Sequence, residues 1–314
     1  MRDNDHKKKF LAGGEQLPAA GTGPQVATIG SFDGVHRGHL FVLGQVVSLA
    51  RERKMEAVAI TFGGHPRQVL HPDMRMQLLT LPEEKRDLMG RAGVDRVVML
   101  DFTEELAQMT ARHFMLTVLR QRMNVRVLFM GYDNHFGHDR KGFDDCRRYG
   151  LEMGIEVVGG EVCPEGESIS STAIRLALLH GDVRTANNLL GRPYAMQGTV
   201  VRGFGNGHKL GYPTANLQVD DEKLLPENGV YLVGTDHGYG MLNIGTRPTL
   251  HNGTRRSIEV HIFDFSGDIY DSPLTVTLLD HLRREQEFSS LNDLQHQLAA
   301  DEQECKLRIE KLKN

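Results

Sequence analysis

The stretch VATIGSFDGVHRGHL (residues 26–40) places a short apolar run, a glycine-containing turn and the start of a helical pattern directly after one another. Four further runs follow up to about Gly160, separated by segments with helical periodicity: AVAITF, DRVVML, VRVLFM and IEVVGG. These runs are apolar almost throughout, as expected for parallel strands that helices cover on both faces. The first half is therefore predicted to be an α/β domain whose ligands lie at the carboxyl ends of the strands.

The pattern changes at GRPYAM (residues 191–196), after a segment that predicts two helices with Gly181 between them. Short β-rich runs then alternate with turn sequences such as DHG, HNG and FSGD, which favours an antiparallel barrel or sandwich. Leucines at 291, 294 and 298 predict a closing helix with a serine N-cap. We place the domain limits at residues 1–190 and 191–314.

Charge and cysteine content indicate which kinds of binding partner and which cellular compartment suit the chain. The 314 residues carry a net charge of −4, so the chain lacks the basic excess of a nucleic-acid binder. Three cysteines, Cys146, Cys163 and Cys305, lie far apart and form no disulfide or zinc pattern, which favours a reducing compartment. The charged start and the absence of a long apolar run indicate neither signal peptide nor membrane span. We expect a cytoplasmic protein, either a monomer or a weak homo-oligomer, without nucleic-acid or membrane partners.

The turn SFDGVH holds two histidines near the start of a helix, His36 and His39. A helix N-terminus attracts anions, and two imidazoles three residues apart would donate towards one point, as transfer of a phosphoryl or nucleotidyl group requires. Two other interpretations stay open for this pair alone: a helix cap with a half-buried neighbour, or a zinc site with Asp33. Neither a GxxxxGK[ST] loop nor a GxGxxG turn is present.

The same turn resembles the GxFDGxHxGH signature of prokaryotic bifunctional riboflavin kinase/FMN adenylyltransferases. AITFGGHPRQVL, LTLPEEKRDLM, GYDNHFGHDRKG and SISSTAIR resemble later segments of that family. The resemblance implies a Rossmann-like nucleotidyltransferase domain, with His36 and His39 as donors to the transition state. It implies flavin contacts at Asn134 and Phe136, and a turn-shaping or nucleotide-contacting role for Asp33. The other implied nucleotide and phosphate contacts are Gly30, Phe32, Gly38, Ser171, Thr172 and Arg175.

The resemblance continues into a riboflavin kinase barrel. GTVVRGFGNGHKLGYPTANL is similar to the family's phosphate segment, with Gly203, Gly207 and Gly211 around the nucleotide. It implies that Thr214 and Asn216 bind Mg²⁺ with ATP, since hard oxygen ligands suit that ion. Glu259 takes the place of the family's general base, and Arg283 and Glu285 of a flavin-covering flap contact the isoalloxazine edge. Without this context, PTAN would be interpreted as a turn and Glu259 as a solvated strand residue.

The matching motifs run from about Val26 to Leu307 in the family's order and predict synthesis of FMN and then FAD from riboflavin and ATP. The chain departs from the family pattern at Gly63 and Gly64, at Ala173, and at His208, where Lys209 could supply the missing charge. Two alternatives are an adenylyltransferase for another small acceptor and a flavin- or nucleotide-binding regulator without catalysis.

Overall fold

The computed structural model of the chain describes residues 23–64, 76–131, 134–161, 163–164, 169–203, 207, 211–248 and 254–313. Internal contacts divide the chain into two compact units, Met1–Ser171 and Thr172–Asn314. The first is an α/β unit and the second is mainly antiparallel β structure, as the sequence predicts.

The first unit is built on a five-stranded parallel sheet with the order β3-β2-β1-β4-β5. Its strands are β1 (Gln25–Ile29), β2 (Glu56–Phe62), β3 (Arg96–Leu100), β4 (Val125–Met130) and β5 (Glu156–Gly159). The five apolar runs of the sequence correspond to these strands, so the predicted sheet is confirmed. Strand order reverses between β1 and β4, which places a crevice at the carboxyl ends of those two strands.

Helices cover both faces of this sheet. They are α1 (Arg37–Arg53), α2 (Pro82–Arg91), α3 (Glu104–Ala107), α4 (Ala111–Phe114), a π-helical segment Met115–Arg122 that continues α4, and α5 (Phe143–Met153). Side chains alternate along each strand: Val127 packs in the α1 layer, whereas Leu128 packs with the α4 and α5 layer. Because each face has its own core, a strand needs apolar residues at every position.

The second unit is a closed six-stranded barrel with the order β10-β7-β6-β11-β8-β9, and every pairing is antiparallel. Its strands are β6 (Tyr194–Val201), β7 (Ala215–Val219), β8 (Gly229–Thr235), β9 (Gly238–Pro248), β10 (Thr254–Ile262) and β11 (Pro273–Arg284). Because the six-stranded sheet closes on itself, the second unit is a barrel and not the sandwich that the sequence also allowed. Strand β7 was not predicted, because ANLQV is short and only partly apolar and its glycine-rich surroundings indicate a turn.

Two helices precede the barrel and contact it. They are α6 (Ser171–Leu179) and α7 (Val183–Leu190), with Gly181 between them at a φ of +73°. Asn187 on α7 donates from Nδ2 to the carbonyl oxygen of Leu278 (2.8 Å), and Arg184 pairs with Asp280 (2.6 Å). These contacts agree with a compact unit that begins at Thr172 and contains α7 and the barrel, whereas the limits 1–190 and 191–314 stay a prediction.

The closing helix α8 (Leu291–Lys313) packs on the barrel, as predicted. Ser290 caps it by accepting a hydrogen bond from the backbone N–H of Asp293 (3.1 Å). Its Arg308 reaches Asp280 of β11 (2.5 Å). Burial raises the pKa of Asp280, but hydrogen bonds from Arg184 and Arg308 outweigh it and hold that pKa below its usual value. One carboxylate therefore ties α7, β11 and α8 together.

All three cysteines are free thiols. Burial raises the pKa of Cys146 to about 11 and that of Cys305 to about 12. Cys163 is half-buried. No helix in the described part of the chain is long and apolar enough to cross a membrane.

Candidate active sites

Hydrogen bonds with residues 79 and 80 hold the turn after β1 in an unusual backbone conformation. Phe32, Gly34 and Val35 have φ values of 47°, 84° and 39°, in the left-handed region. Asp33, 2 % exposed, accepts backbone hydrogen bonds at Oδ1 from Leu79 (2.9 Å) and Thr80 (3.1 Å). The hydroxyl of Thr80 in turn accepts from the backbone N–H of Gly34 (3.0 Å). These contacts give Asp33 a part in shaping the turn.

His36 and His39 are brought together at the start of α1. His36 is the N-cap, and its Nδ1 accepts a hydrogen bond from the backbone N–H of His39 (3.3 Å). The two rings stack with centroids 3.6 Å apart, and the Phe32 ring meets His39 edge-on at 5.1 Å. Because Nδ1 of His36 is an acceptor here, the neutral ring carries its proton on Nε2 and can donate from there.

Two predicted glycines give these rings room. A Cβ on Gly38 would lie 3.3 Å from Cε1 and Nδ1 of His36, and one on Gly30 would lie 3.1 Å from the Phe32 ring. A side chain at either position would push an aromatic ring. The two glycines are therefore needed for the packing of His36 and Phe32, in addition to any contact that they make with a ligand.

The loop after β4 meets the same crevice. Asn134 donates from Nδ2 to the carbonyl oxygen of Ile29, the last residue of β1 (3.1 Å). Phe136 packs against Phe114 with centroids 6.3 Å apart. Both Asn134 and Phe136 line a cavity of about 510 Å³ beside Gly30. The structure thus places the predicted flavin contacts next to the turn after β1.

Sequence reasoning missed two aromatic residues of this cavity, Phe62 and Phe102. Phe62 ends β2, Phe102 follows β3, and their rings meet edge-on at 5.1 Å. A signal was available, because both are large aromatic residues at strand carboxyl ends, where ligands of such sheets bind. The departures at Gly63 and Gly64 come directly after Phe62, and the N–H of Gly63 bonds to the carbonyl oxygen of Leu100 (3.1 Å).

The second phosphate motif starts beside the same turn. Ser171 donates from Oγ to the carbonyl oxygen of Asp33 (2.8 Å). Thr172, Ala173 and Arg175 follow on α6, with Thr172 exposed and Arg175 half-buried. Ser171 therefore links this motif to the turn after β1.

In the barrel, the predicted catalytic and metal-binding residues lie side by side. Glu259 on β10 is paired directly with Asn216 on β7 and with Asn243 on β9. Directly opposed residues of antiparallel strands share a face of the sheet. The Thr214 hydroxyl donates to Oε2 of Glu259 over 3.5 Å. Asn243 was missed, since the register of β9 against β10 cannot be read from a single sequence.

A cavity of about 300 Å³ opens in front of Glu259, and both predicted flap residues line it. Arg283 is bound by Asp301 of α8, with Nε donating over 3.0 Å and Nη2 over 2.8 Å. Glu285 accepts from the backbone N–H of Thr246 (3.2 Å) and from Nδ2 of Asn228 (3.0 Å). The fold itself thus holds both side chains at the cavity.

A second cavity of the barrel, about 470 Å³, shares Thr214 with the first and was missed. Phe265 and Tyr270 of the segment between β10 and β11 line it together with Pro213. The two cavities therefore meet at the residue predicted to bind metal and phosphate.

Glycines of the phosphate segment lie close to these residues. A Cβ on Gly203 would lie 2.1 Å from Nδ2 of Asn216, and one on Gly207 would lie 2.3 Å from the carbonyl oxygen of Tyr212. Gly211 has a φ of +81°, and no atom of the described residues lies within 4 Å of a built Cβ. His208 and Lys209 lie outside the described residues.

Oxygen atoms of Thr214, Asn216 and Glu259 form a donor set of the kind that Mg²⁺ prefers. Within the described residues, no group of three His, Cys, Asp or Glu side chains could hold a metal ion. The zinc interpretation of His36, His39 and Asp33 therefore finds no support there, and Asp33 is already bonded to Leu79 and Thr80.

Comparisons with known proteins match both halves of the chain. The family model described as FAD synthetase matches residues 20–173, and the one described as riboflavin kinase matches residues 190–309. The chain is 39 % identical to the bifunctional riboflavin kinase/FMN adenylyltransferase of Pseudomonas fluorescens, over 88 % of this chain and 90 % of that protein. It is 36 % identical to the protein of that name from Escherichia coli K12, over 94 % and 96 % of the two chains.

A solved structure is similar over nearly the same length. The crystal structure of a protein from Streptococcus pneumoniae described as a macrolide-efflux protein aligns with a TM-score of 0.83 and 33 % identity, over 96 % of each chain. Its name refers to efflux, whereas both family models and the curated relatives refer to flavin chemistry. The chain belongs to the family of bifunctional riboflavin kinase/FMN adenylyltransferases.

Proposed function

We propose that this chain carries out both reactions of its family at two separate sites. At the barrel, the γ-phosphoryl group of ATP passes to the 5′-hydroxyl of riboflavin and gives FMN and ADP. At the crevice of the parallel sheet, FMN attacks the α-phosphorus of a second ATP and gives FAD and pyrophosphate. The observation that carries this proposal is the pairing of Glu259 with Asn216 in the barrel, beside Thr214, in a chain that also stacks His36 on His39.

In the kinase reaction, Glu259 accepts the proton of the 5′-hydroxyl as that oxygen attacks phosphorus. Thr214 and Asn216 bind Mg²⁺ together with the phosphates of ATP. When bound, the ion neutralises charge on the transferred phosphoryl group. The 3.5 Å contact between Thr214 and Glu259 supports a site where base and phosphate-binding groups are neighbours.

The two barrel cavities suit the two substrates. We assign the isoalloxazine ring to the cavity lined by Arg283 and Glu285, whose donor and acceptor groups match the ring edge. We assign the adenosine of ATP to the cavity lined by Phe265 and Tyr270. Thr214 lies where the two cavities meet, which is where the transferred phosphoryl group must be.

In the adenylyl transfer, the phosphate of FMN is already a nucleophile and needs no base. His36 donates a hydrogen bond from Nε2 to an oxygen of the α-phosphate, where negative charge develops in the transition state. His39, which lies beside it, donates to the same phosphate. Ser171, Thr172 and Arg175 bind the leaving pyrophosphate, Arg175 by the bidentate contacts that suit guanidinium. The flavin ring of FMN occupies the cavity lined by Asn134, Phe136, Phe62 and Phe102.

We further propose a cytoplasmic enzyme that is a monomer or a weak homo-oligomer. Free thiols and the use of ATP support the compartment. The residues proposed for both sites come from a single chain, so neither site needs a second copy.

A time course tests the proposal. Purified protein is incubated with riboflavin, ATP and Mg²⁺, and the flavins are separated by chromatography. FMN should form first and then give way to FAD, and chelation of Mg²⁺ should stop both steps. Accumulation of FMN alone would contradict the adenylyl-transfer assignment, and flavin binding without turnover would favour the regulator.

A further inference from the structure

Helix α2 carries a lysine whose ammonium group is buried beneath the turn after β1. Lys85 is 3 % exposed, and its Nζ donates to the carbonyl oxygens of Ser31 (3.0 Å) and Phe62 (2.9 Å). Ser31 follows β1 and Phe62 ends β2, and these two strands are neighbours in the sheet. One buried cation therefore joins the carboxyl ends of two strands. Burying a charge is costly unless hydrogen bonds compensate for it, and these two offset part of that cost.

The residues before Lys85 contact the same turn. The backbone N–H groups of Leu79 and Thr80 bind Asp33, and the Thr80 hydroxyl binds Gly34. The segment 79–85 thus holds the turn from several directions. Phe32 and Val35 are non-glycine residues with positive φ, a conformation that persists only where the surroundings impose it.

We infer that Lys85 is a positioning residue for adenylyl transfer, which holds the turn after β1 in the shape that directs His36 and His39 at the phosphates. The inference rests on the proposed role of those histidines. Lys85 acts through the carbonyl oxygen of Ser31, one residue before Phe32, and through the end of β2. It touches neither reacting atom.

Protonation of Lys85 gives this role a measurable signature. Burial lowers the pKa of Lys85 to about 8, although the Asp33 carboxylate acts in the opposite direction. Titratable groups on the neighbouring elements include His36, the N-cap of α1, His39 on α1, Asp101 after β3 and Glu84 on α2. Above pH 8 the neutral amine donates weaker hydrogen bonds than the ammonium, so the turn is held less firmly.

The test compares the two activities of one chain between pH 7 and 9.5. The kcat/KM for ATP is measured with FMN as acceptor and, separately, with riboflavin, because kcat/KM reports groups of the free enzyme. Both reactions share ATP and the isoalloxazine ring. We expect FAD formation to fall by roughly fivefold or more above pH 8 while FMN formation does not follow it. Parallel profiles for the two reactions would overturn the inference.

Two variants sharpen the test. Lys85→Met should lower kcat/KM for FAD formation by roughly 10- to 100-fold, as expected for a displaced catalytic group, and abolish the alkaline fall. Lys85→Arg keeps its charge throughout this range, so its profile should stay flat above pH 8 whatever its absolute rate. An alkaline fall that persists in either variant, or a Lys85→Met enzyme as fast as wild type, would overturn the inference. If Lys85→Met does not fold, the Lys85→Arg and wild-type profiles decide.

Lys223 provides a matched control, since it is also a buried lysine, 1 % exposed, but belongs to the barrel unit. Lys223→Met should leave the pH profile of FAD formation unchanged, and a changed profile would count against a specific role of Lys85. His36→Ala distinguishes a wrong site assignment from a wrong role of Lys85. If it leaves FAD formation intact, the proposed site is wrong, whereas if it abolishes FAD formation and Lys85→Met does not impair it, only the present inference is wrong.

Loss of folding is distinguishable from this effect. The pKa of Lys85 is lower in the folded chain than the ordinary 10.5, so between about pH 8 and 10.5 the unfolded chain binds more protons at this site. The contribution of this lysine to stability therefore rises with pH in that window. Thermal unfolding of the wild type measured at each pH should show no loss that parallels the fall in activity, and a parallel loss would overturn the inference.

Discussion

The two candidate sites are built on different parts of their folds. In the α/β unit, His36, Asn134 and Phe62 lie at the carboxyl ends of strands or in the loops after them. In the barrel, Asn216, Glu259 and Asn243 lie on three adjacent strands and are aligned by the ladder. A site on loops depends on the contacts that hold the loops, whereas a site on paired strands depends on the register. The first should be sensitive to changes in supporting residues such as Asp33, and the second to changes that displace a side chain of the row.

The strongest test of this comparison removes the carboxylate of the barrel row. Glu259→Ala should slow riboflavin phosphorylation by roughly 10²- to 10⁴-fold, the usual contribution of a general base. Adenylylation of supplied FMN should stay normal, because Glu259 belongs to the other unit. Initial rates of both reactions check this, and normal phosphorylation by the variant would exclude the base role.

The reciprocal change is made in the turn after β1. His36→Ala removes a donor and the cap of α1, so FAD formation should fall by roughly 10²- to 10³-fold while FMN formation continues. His36→Asn is the matched variant, since its side chain can still cap the helix. If His36→Asn is as active as wild type, His36 acts as the cap of α1 and its imidazole does not take part in the reaction.

The third test concerns the row of side chains in the barrel. Gly203→Ala adds a methyl group whose carbon would lie only 2.1 Å from Nδ2 of Asn216. Because this distance is too short for two non-bonded atoms, the amide of Asn216 should be displaced. Misplacement of a phosphate-binding group by about 1 Å lowers rates by roughly 10²-fold, so kinase activity should drop accordingly. Gly238→Ala is the control, because this glycine also lies in the barrel and a Cβ there meets no atom of the described residues within 4 Å. It should lower the free energy of unfolding by about 1 kcal/mol, through its positive φ alone. Equal kinase rates in the two variants would contradict the role of Asn216.

The smallest effect on activity is expected for the conservative change of Asp33 to asparagine. Asp33→Asn keeps an oxygen that can accept from Leu79 and Thr80, so FAD formation should stay within about tenfold of wild type, the equivalent of one hydrogen bond. Asp33→Ala leaves those two N–H groups without their acceptor and should lower the free energy of unfolding by about 2 to 4 kcal/mol. Steady-state rates and urea unfolding check both variants. A much larger loss in Asp33→Asn would mean that the charge itself takes part in the reaction.

The difference between a site on loops and a site on paired strands also explains which parts of the molecule the sequence could predict. Buried parallel strands and the turn after β1 show directly in the pattern of apolar residues and glycines, so the sheet and the neighbourhood of His36 and His39 followed from residues alone. The barrel row did not, because the pairing of Glu259 with Asn216 joins residues far apart in the chain, and only the family resemblance linked them. Asn243 was missed for this reason, whereas strand β7 was missed because ANLQV is short and only partly apolar.

Some contacts have no signal in one sequence at all. The burial of Lys85 against Ser31 and Phe62 depends on how α2 packs, and a lysine in EEKRD predicts a solvated helix face. The bond between Arg283 and Asp301 likewise depends on how α8 lies on the barrel. Resemblance placed Arg283 at the flavin cavity but gave no information about its partner.

The distribution of the thiols offers a route to selective chemical labelling. Thiolates react with maleimides, and burial keeps Cys146 and Cys305 protonated far above neutral pH. Cys163, half-buried in the α/β unit, is then the thiol that a fluorophore would reach first. Without any engineered cysteine, a dye could therefore be attached to the unit that makes FAD, giving an optical probe of that unit alone.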